Sequence, residues 1–135
     1  MSKKIVNTTG KRKTSIAKAI LTEGSGKITL NGKNYKTLNK LDVLKIEEPL
    51  RITGEITGKI NFDVNIKIKG GGEKSQVDAA RVALAKAIVE FTKSKKLTDT
   101  FLNYDRNLLV ADIRRKEAYK PGDSKARRKR QSSKR

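Results

Sequence analysis

The sequence contains no cysteine and no histidine among its 135 residues. Without cysteine there are no disulfides, thiolate nucleophiles or thiolate metal ligands. Without histidine, the commonest general base and the commonest metal ligand are both missing. The carboxylates are scattered, and the adjacent pair Glu47 and Glu48 would point in different directions on a helix. We therefore expect neither an enzyme nor a bound metal or cofactor.

Long hydrophobic runs are also missing. No apolar stretch approaches the roughly 18 residues that a membrane-spanning helix requires. The apolar part of residues 1–6 is too short for a signal peptide. The length is that of one domain with a modest core. These features favour a soluble intracellular protein with no membrane partner.

Acidic residues are few compared with basic ones. The chain has 33 Lys and Arg against 14 Asp and Glu, for a formal net charge of +19. A surplus of this size indicates a polyanionic partner, with nucleic acid first and an acidic membrane surface second. Charge that serves solubility alone is a weaker explanation, because such surfaces usually mix both signs.

The charge is most concentrated in the C-terminal segment, residues 114–135. This segment has eleven Lys or Arg and two acidic side chains, and only Ala118, Tyr119 and Ala126 offer apolar surface. Ordering costs about 1–2 kcal/mol per residue, which so little burial cannot offset. The sequence therefore predicts a globular domain at 1–113 and an extended basic tail at 114–135. Tyr119 is the one aromatic residue in the tail that could stack on a base.

Apolar alternation and β-branched residues predict the strands. The clearest pattern runs from Ile60 to Ile68, where apolar and polar residues alternate, so one face should be buried and the other exposed. The predicted strands span residues 3–9, 14–22, 27–30 and 58–69.

Helical spacing predicts the remaining elements. A short helix is expected at 41–48 and should end before Pro49, with another turn that ends at Gly54. A longer helix is expected at about 75–95, capped by Ser75. A further helix should start near Thr98, and the apolar run 108–110 should hold the chain to the core before the tail begins.

Two stretches are candidates for contact with phosphate. Residues 10–13 read G-K-R-K and are expected to form a loop with three consecutive cations. The glycine run 70–72 precedes a predicted helix, so its backbone N–H groups could hold a phosphate. It lacks the full pattern of a nucleotide-binding loop, and a flexible strand-to-helix turn is the better explanation of it.

Three sequence stretches, taken together in their order along the chain, identify a protein family more specifically than any one of them does. The first is T-G-K-R-K-T-S-I-A at residues 9–17. The second runs from Val64 through the glycines 70–72 to A-A-R at 79–81. The third comprises Y-D-R at 104–106, L-L-V-A-D at 108–112, R-R at 114–115 and the terminal S-S-K-R. Together they resemble the S-nine family of small-subunit ribosomal proteins in its archaeal form.

This resemblance implies a fold and a set of partners. The fold would be an α/β (α+β) two-layer sandwich like the second domain of ribosomal protein S-five, with a four-stranded mixed sheet, packed helices and an extended C-terminal tail. The partners would be 16S-type rRNA in the head of the small subunit, neighbouring head proteins and the tRNA in the peptidyl site. The location would be the ribosome in the cytoplasm. The chain differs from many relatives at Ile113, where they have proline, and at residues 132–133, where they have an aromatic residue.

Charge and resemblance together give the candidate binding residues. Those for rRNA are Lys11, Arg12, Lys13, Gly71, Gly72, Arg114, Arg115, Lys116, Lys120, Lys125, Arg127, Arg128, Lys129 and Arg130. By the resemblance, the terminal pair Lys134 and Arg135 would contact the anticodon stem-loop of the tRNA.

Two alternatives remain at this point. A small metabolite kinase on a related fold would use the glycine run to bind a nucleotide, and tight ATP binding would favour it. A basic chromatin-type protein would prefer duplex DNA over rRNA.

Overall fold

The computed structural model describes residues 3–122 and 125–127. These residues form one mixed sheet with the strand order β1-β2-β5-β3-β4. The strands are β1 Ile5–Arg12, β2 Ser15–Glu23, β3 Ile28–Leu30, β4 Lys33–Asn34 and β5 Phe62–Lys69. The α-helices are α1 Lys40–Thr57, α2 Glu73–Thr92 and α3 Lys95–Tyr104, and short 3-10 helices span Tyr35–Thr37 and Arg106–Leu108.

The sheet is mostly antiparallel, with one parallel pair. β1 pairs with β2, and β2 with β5, in antiparallel registers, whereas β3 and β5 run parallel. A parallel pair requires a crossover connection, and α1 supplies it. The predicted mixed α/β architecture is confirmed. The sheet has five strands rather than the expected four, because the short hairpin after β3 adds the two-residue strand β4. The likeness to the S-five domain stays a prediction.

Helix α2 packs directly on the sheet and explains why alternate strand residues are buried. The buried positions of β2 are Ser15, Ala17, Ala19 and Leu21. Gly10 on β1 lies so close to α2 that a Cβ atom there would come within 2.4 Å of the Ala79 carbonyl oxygen. Helix α1 packs beside α2 and α3 packs against α1, and residues of all three helices join one core with the buried strand residues.

Helix α1 continues through Pro49, so the prediction that it ends before this proline is wrong. A proline inside a helix removes one backbone hydrogen bond and costs about 3 kcal/mol. Here Pro49 lies among the buried residues Ile46, Leu50 and Thr53, which pack into the core. Burial of this apolar stripe outweighs the local cost. The Thr53 hydroxyl donates a 2.7 Å hydrogen bond to the Pro49 carbonyl.

The other predicted elements are present with shifted bounds. The strand predicted at 58–69 begins at Phe62, and α2 begins at Glu73 rather than Ser75. The prediction of Ser75 as the cap is wrong, because Gly72 occupies the N-cap and the Ser75 hydroxyl instead donates to the Gly72 carbonyl. Helix α3 begins at Lys95 and is capped by Ser94, whose hydroxyl accepts a hydrogen bond from the Leu97 N–H.

The chain returns to the core just before the tail. Leu108 is fully buried and Leu109 packs against the core, while Val110 is 39% exposed. Between Ile113 and residue 122 the chain has no helix or strand. In the part of the chain that the structure describes, no helix has the length and apolar character to cross a membrane.

Candidate nucleic-acid interface

The predicted three-cation loop is a strand and a tight turn. β1 extends through Arg12, and Arg12 pairs with Ser15 across a two-residue turn. Lys13 in this turn has a φ of 54°. Because side chains alternate along a strand, Lys11 and Arg12 point to opposite faces of the sheet. The three neighbouring cations therefore have three different environments.

Arg12 points to the helix side and is held by carboxylates. Its side chain is 18% exposed and forms an ion pair with Asp112. Its Nε lies 4.0 Å from Asp78 on α2, and Lys45 on α1 lies 3.3 Å from the same carboxylate. Arg12 and Asp112 also form a parallel backbone bridge. Arg12 thus joins β1 to the segment from which the tail leaves.

Asp112 connects this anchor to the first tail arginine. The Arg114 backbone N–H donates to Asp112 at 3.0 Å, and the Arg114 guanidinium donates to the same carboxylate at 2.8 Å. These hydrogen bonds, with the charges of Arg114 and Arg12, lower the pKa of Asp112 from 3.8 to about 2. The carboxylate is therefore ionised throughout the physiological range and fixes the start of the tail beside β1.

A second ion network supports the same region. Arg81 on α2 donates to Glu48 on α1 at 2.5 Å and to Asp105 at 3.1 Å. Asp105 also accepts from the Asn107 N–H and so caps the 3-10 helix that follows α3. The network ties α1 and α2 to the segment that precedes the tail.

The β1–β2 turn and the first residues of the tail together line a basic cleft. We call residues 114–116 the tail root. We use the name basic cleft for the cavity of about 740 Å³ lined by Arg12, Lys13, Thr14, Arg114, Arg115 and Lys116. Five of the six lining residues are cationic and none is acidic. The fold thus brings together two groups of predicted rRNA-binding residues that lie about 100 positions apart. Guanidinium and ammonium groups in such an arrangement suit phosphate oxygens.

The glycine run serves the packing between β2 and α2. Gly71 has a φ of 67°, and a Cβ atom there would lie 2.0 Å from the Ser15 hydroxyl oxygen. Ser15 is buried and donates to the Gly70 carbonyl at 2.9 Å. Gly72 is exposed and no side chain caps the first turn of α2. The turn interpretation therefore has a structural reason, while phosphate contact by Gly71 and Gly72 stays a prediction.

The other predicted tail residues are described in part. Lys120 and Lys125 are exposed, and Arg127 forms a 2.9 Å ion pair with Glu117. The Lys116 ammonium lies 4.4 Å from the centre of the Tyr119 ring. The predictions for Arg128, Lys129, Arg130, Lys134 and Arg135 lie outside the described residues.

Sequence reasoning missed the acidic residues that hold arginines in and near the cleft. Asp78, Asp105 and Asp112 are separate in sequence, and each contacts an arginine in the fold. For Arg12, the alternation of strand residues indicates that its side chain lies on the same face of β1 as the buried positions. The signal for Asp112 was its place in the third resembling stretch, directly before the paired arginines.

The fold and the basic cleft are those expected of a class of protein that contacts polyanions through clustered cations. Within the described ranges 3–122 and 125–127, no three carboxylates are grouped in a way that could hold a metal ion. Comparison with known proteins agrees with this class. Residues 10–135 match the family described as Ribosomal protein S9/S16.

Similar proteins span nearly the whole chain. One is the small ribosomal subunit protein uS9 of Methanococcus vannielii, 52% identical over 122 residues that cover 90% of each chain. Another is the small ribosomal subunit protein uS9 of Methanococcus maripaludis strain C7, 50% identical over 133 residues that cover 96% of this chain and 98% of that protein. The chain belongs to the Ribosomal protein S9/S16 family.

Family membership decides several of the predictions. The resemblance to the S-nine family in its archaeal form is confirmed. Members are structural, non-enzymatic components of the ribosome, so the protein is not a metabolite kinase. It is a component of the small subunit of the cytoplasmic ribosome and takes part in translation as part of a ribonucleoprotein.

Proposed function

We propose that the protein binds 16S-type rRNA in the head of the small subunit through its basic cleft, and that its tail reaches the peptidyl-site tRNA. The observation that carries this proposal is the cleft itself, where the hairpin turn and the tail root place five cations around one cavity. Contacts of this kind fix position and orientation on a nucleic acid without reading its sequence. This is the role expected of a structural component.

The residues of the cleft divide into two roles. Arg12 is held by Asp112 and Asp78, so it positions the other cations and has little charge to offer to RNA. Arg115 and Lys116 are exposed and form no ion pair with another described residue. These two, with Lys13, are the phosphate contacts of the basic cleft. Arg114 is 76% exposed and can turn one edge of its guanidinium to RNA while it holds Asp112.

The tail extends the contact beyond the cleft. Its predicted contacts with rRNA are Lys120, Lys125, Arg127, Arg128, Lys129 and Arg130. Lys134 and Arg135 would contact the backbone of the tRNA anticodon stem-loop. The charge of the segment and its resemblance to the family terminus support this assignment. A basic segment with so little apolar surface can follow an irregular RNA surface.

The role of the cleft is tested by salt dependence. Each phosphate contact contributes about 0.7 to 0.9 to the slope of log affinity against log salt concentration. The double variant Arg115→Gln/Lys116→Gln should lower the slope for binding to 16S-type rRNA by about 1.4–1.8. The matched control is Lys95→Gln/Lys96→Gln, which removes two exposed cations from α3. Equal slopes for the two double variants would contradict the proposal, and stronger competition by duplex DNA than by rRNA would favour a DNA-binding protein.

The role of the tail end needs its own measurement. The variant Lys134→Gln/Arg135→Gln, incorporated into small subunits, should lower the slope for tRNA binding at the peptidyl site by about 1.4, in the single-strand limit. The control Ser132→Ala/Ser133→Ala keeps the charge and should bind as the natural protein does. Unchanged tRNA affinity and slope in the charge-neutralised subunits would exclude the tRNA contact and leave the rRNA contact of the cleft intact.

A further inference from the structure

The helices cover one face of the sheet and leave alternate strand residues on the other face exposed. We call the exposed side of β1, β2 and β5 the open sheet face. Among the residues on it are Lys11, Ile16, Lys18, Ile20, Asn65, Lys67 and Lys69. Ile16 and Ile20 are 40% and 41% exposed, respectively. These two isoleucines leave some apolar surface uncovered between the polar residues of this face.

Strand register places the four lysines in two adjacent rows. Lys18 lies directly opposite Lys67. In the next row, Ile16 lies between Lys11 on one side and Lys69 on the other. Both rows are at the end of the sheet nearest the β1–β2 turn. Directly opposed side chains have Cβ atoms about 4.5–5.5 Å apart, so these ammonium groups share a small area.

None of these lysines forms an ion pair with a residue that the structure describes. The acidic residue on this face of β5 is Asp63, at the other end of the strand. Asp63 accepts hydrogen bonds from the N–H groups of Ser25, Gly26 and Lys27, which form the turn before β3. Like charges directly opposite each other destabilise a sheet. A bound polyanion would relieve this repulsion.

The same face has no aromatic side chain at the exposed positions of β1, β2 and β5. Sheets that read single-stranded RNA stack its bases on aromatic residues, and that mode is missing here. Lysine, asparagine and threonine side chains instead suit phosphates and 2′-hydroxyl groups on the outside of a folded RNA helix. The chemistry therefore favours the backbone of double-stranded RNA as the partner.

We infer that the open sheet face is a second RNA-docking surface, which binds the phosphate backbone of an rRNA helix through Lys11, Lys18, Lys67 and Lys69. This inference rests on the proposed function. Lys11 and Lys13 are two residues apart, and they place the open sheet face and the basic cleft on either side of the β1–β2 turn. The hairpin is therefore held between phosphates on both of its sides.

The first test is a charge-matched comparison with 16S-type rRNA. Lys18→Gln/Lys67→Gln should lower the salt slope by about 1.4–1.8, whereas Lys95→Gln/Lys96→Gln on α3 should leave it nearly unchanged. The melting temperature of the free Lys18→Gln/Lys67→Gln protein should not fall, because the substitution removes a like-charge pair. This readout separates a binding role from a structural one.

The second test uses the absence of natural cysteine. A single cysteine introduced as Ile20→Cys, in the centre of the open sheet face, can hold a tethered iron–EDTA group that cleaves nearby RNA. In assembled small subunits it should cut both strands of one rRNA helix, at sites not cut from Lys95→Cys on α3. Failure of the natural protein to bind rRNA would refute the proposed function. Normal binding with no cuts from position 20 and an unchanged salt slope would refute this inference alone.

Discussion

Arg12 and Asp112 are joined twice, although 100 positions separate them in the sequence. Their backbones form a parallel bridge, and their side chains form an ion pair in which the carboxylate is 14% exposed. The bridge adds the start of the tail to the edge of the sheet. The direction in which the basic tail leaves the domain is therefore set by β1 and not by the tail itself.

The first prediction concerns the pH dependence of the contact between Arg12 and Asp112. The pKa of Asp112 is lowered from 3.8 to about 2, chiefly by its hydrogen bonds with Arg114. Because the folded pKa is below the ordinary value, the stabilisation is complete above about pH 4 and is lost as the pH falls towards 2. NMR titration of the Asp112 carboxyl carbon should show this midpoint.

Substitution of the partners separates their contributions to the pKa. Arg114→Gln should return the midpoint of Asp112 towards 3.8, and Arg12→Gln should raise it by less, because Arg12 acts through its charge alone. A midpoint near 3.8 in the natural protein would show that the tail root is not held by this carboxylate.

The second prediction compares two arginine–glutamate pairs of different burial. The Arg81 side chain is 14% exposed and joins Glu48 and Asp105. Arg81→Gln should lower the free energy of unfolding by about 1.5–3 kcal/mol, the range for hydrogen bonds to charged groups. Arg51 is 68% exposed and pairs with Glu47 one turn earlier. Arg51→Gln should cost about 0.3–0.5 kcal/mol. Urea unfolding measures both, and equal effects would contradict the proposed anchoring role of Arg81.

The third prediction uses two glycines with opposite surroundings. A Cβ atom at Gly10 would come within 2.6 Å of the Ala83 nitrogen, so Gly10→Ala must push β1 away from α2. Overpacking of this kind costs about 1–3 kcal/mol. Gly54 lies inside α1, and a Cβ atom there would meet no atom from outside its own helix within 4 Å. Gly54→Ala should stabilise the protein by about 0.5–1 kcal/mol. Thermal unfolding of the two variants should therefore shift in opposite directions.

Local patterns predicted the elements well where burial and periodicity agree. The alternation from Phe62 to Ile68 gave β5, and the apolar stripe of α2 gave the longest helix, because each pattern matches one buried face. Pro49 is the reason why the predicted end of α1 was wrong. Its local cost is real, but the burial of neighbouring residues outweighs it, and burial depends on packing partners that are distant in the sequence.

The candidate site was predicted in its composition but not in its arrangement. Charge alone marked residues 11–13 and 114–116, and the fold brings Arg12, Lys13 and residues 114–116 to one cleft. The loop interpretation treated Lys11, Arg12 and Lys13 as equivalent. The strand separates them, because alternation turns Arg12 towards Asp78 and Asp112 and leaves Lys11 on the open sheet face. The identity of an ion-pair partner 100 positions away is a tertiary property that no local pattern contains.

The fourth prediction follows from that separation, because the substitution of Lys13 and the substitution of Arg12 should have different effects on stability and on rRNA binding. Lys13 forms no ion pair with a described residue and lines the basic cleft. Lys13→Gln should leave the unfolding midpoint unchanged and lower the salt slope for rRNA binding by about 0.7–0.9. Arg12→Gln removes the partner that Asp112 and Asp78 share, although Asp112 keeps Arg114 and Asp78 keeps Lys45, so it should lower stability by about 0.5–1.5 kcal/mol.

The effect of Arg12→Gln on rRNA binding should also differ from that of Lys13→Gln. Arg12 contributes little charge to RNA directly, so Arg12→Gln should weaken binding at every salt concentration with a nearly unchanged slope, because the tail root is no longer fixed beside β1. Unfolding and salt titration of both single variants measure the two quantities independently. If Arg12→Gln lowered the slope as much as Lys13→Gln and left stability intact, Arg12 would be a phosphate contact, and the predicted three-cation loop would describe the site better than the anchored strand.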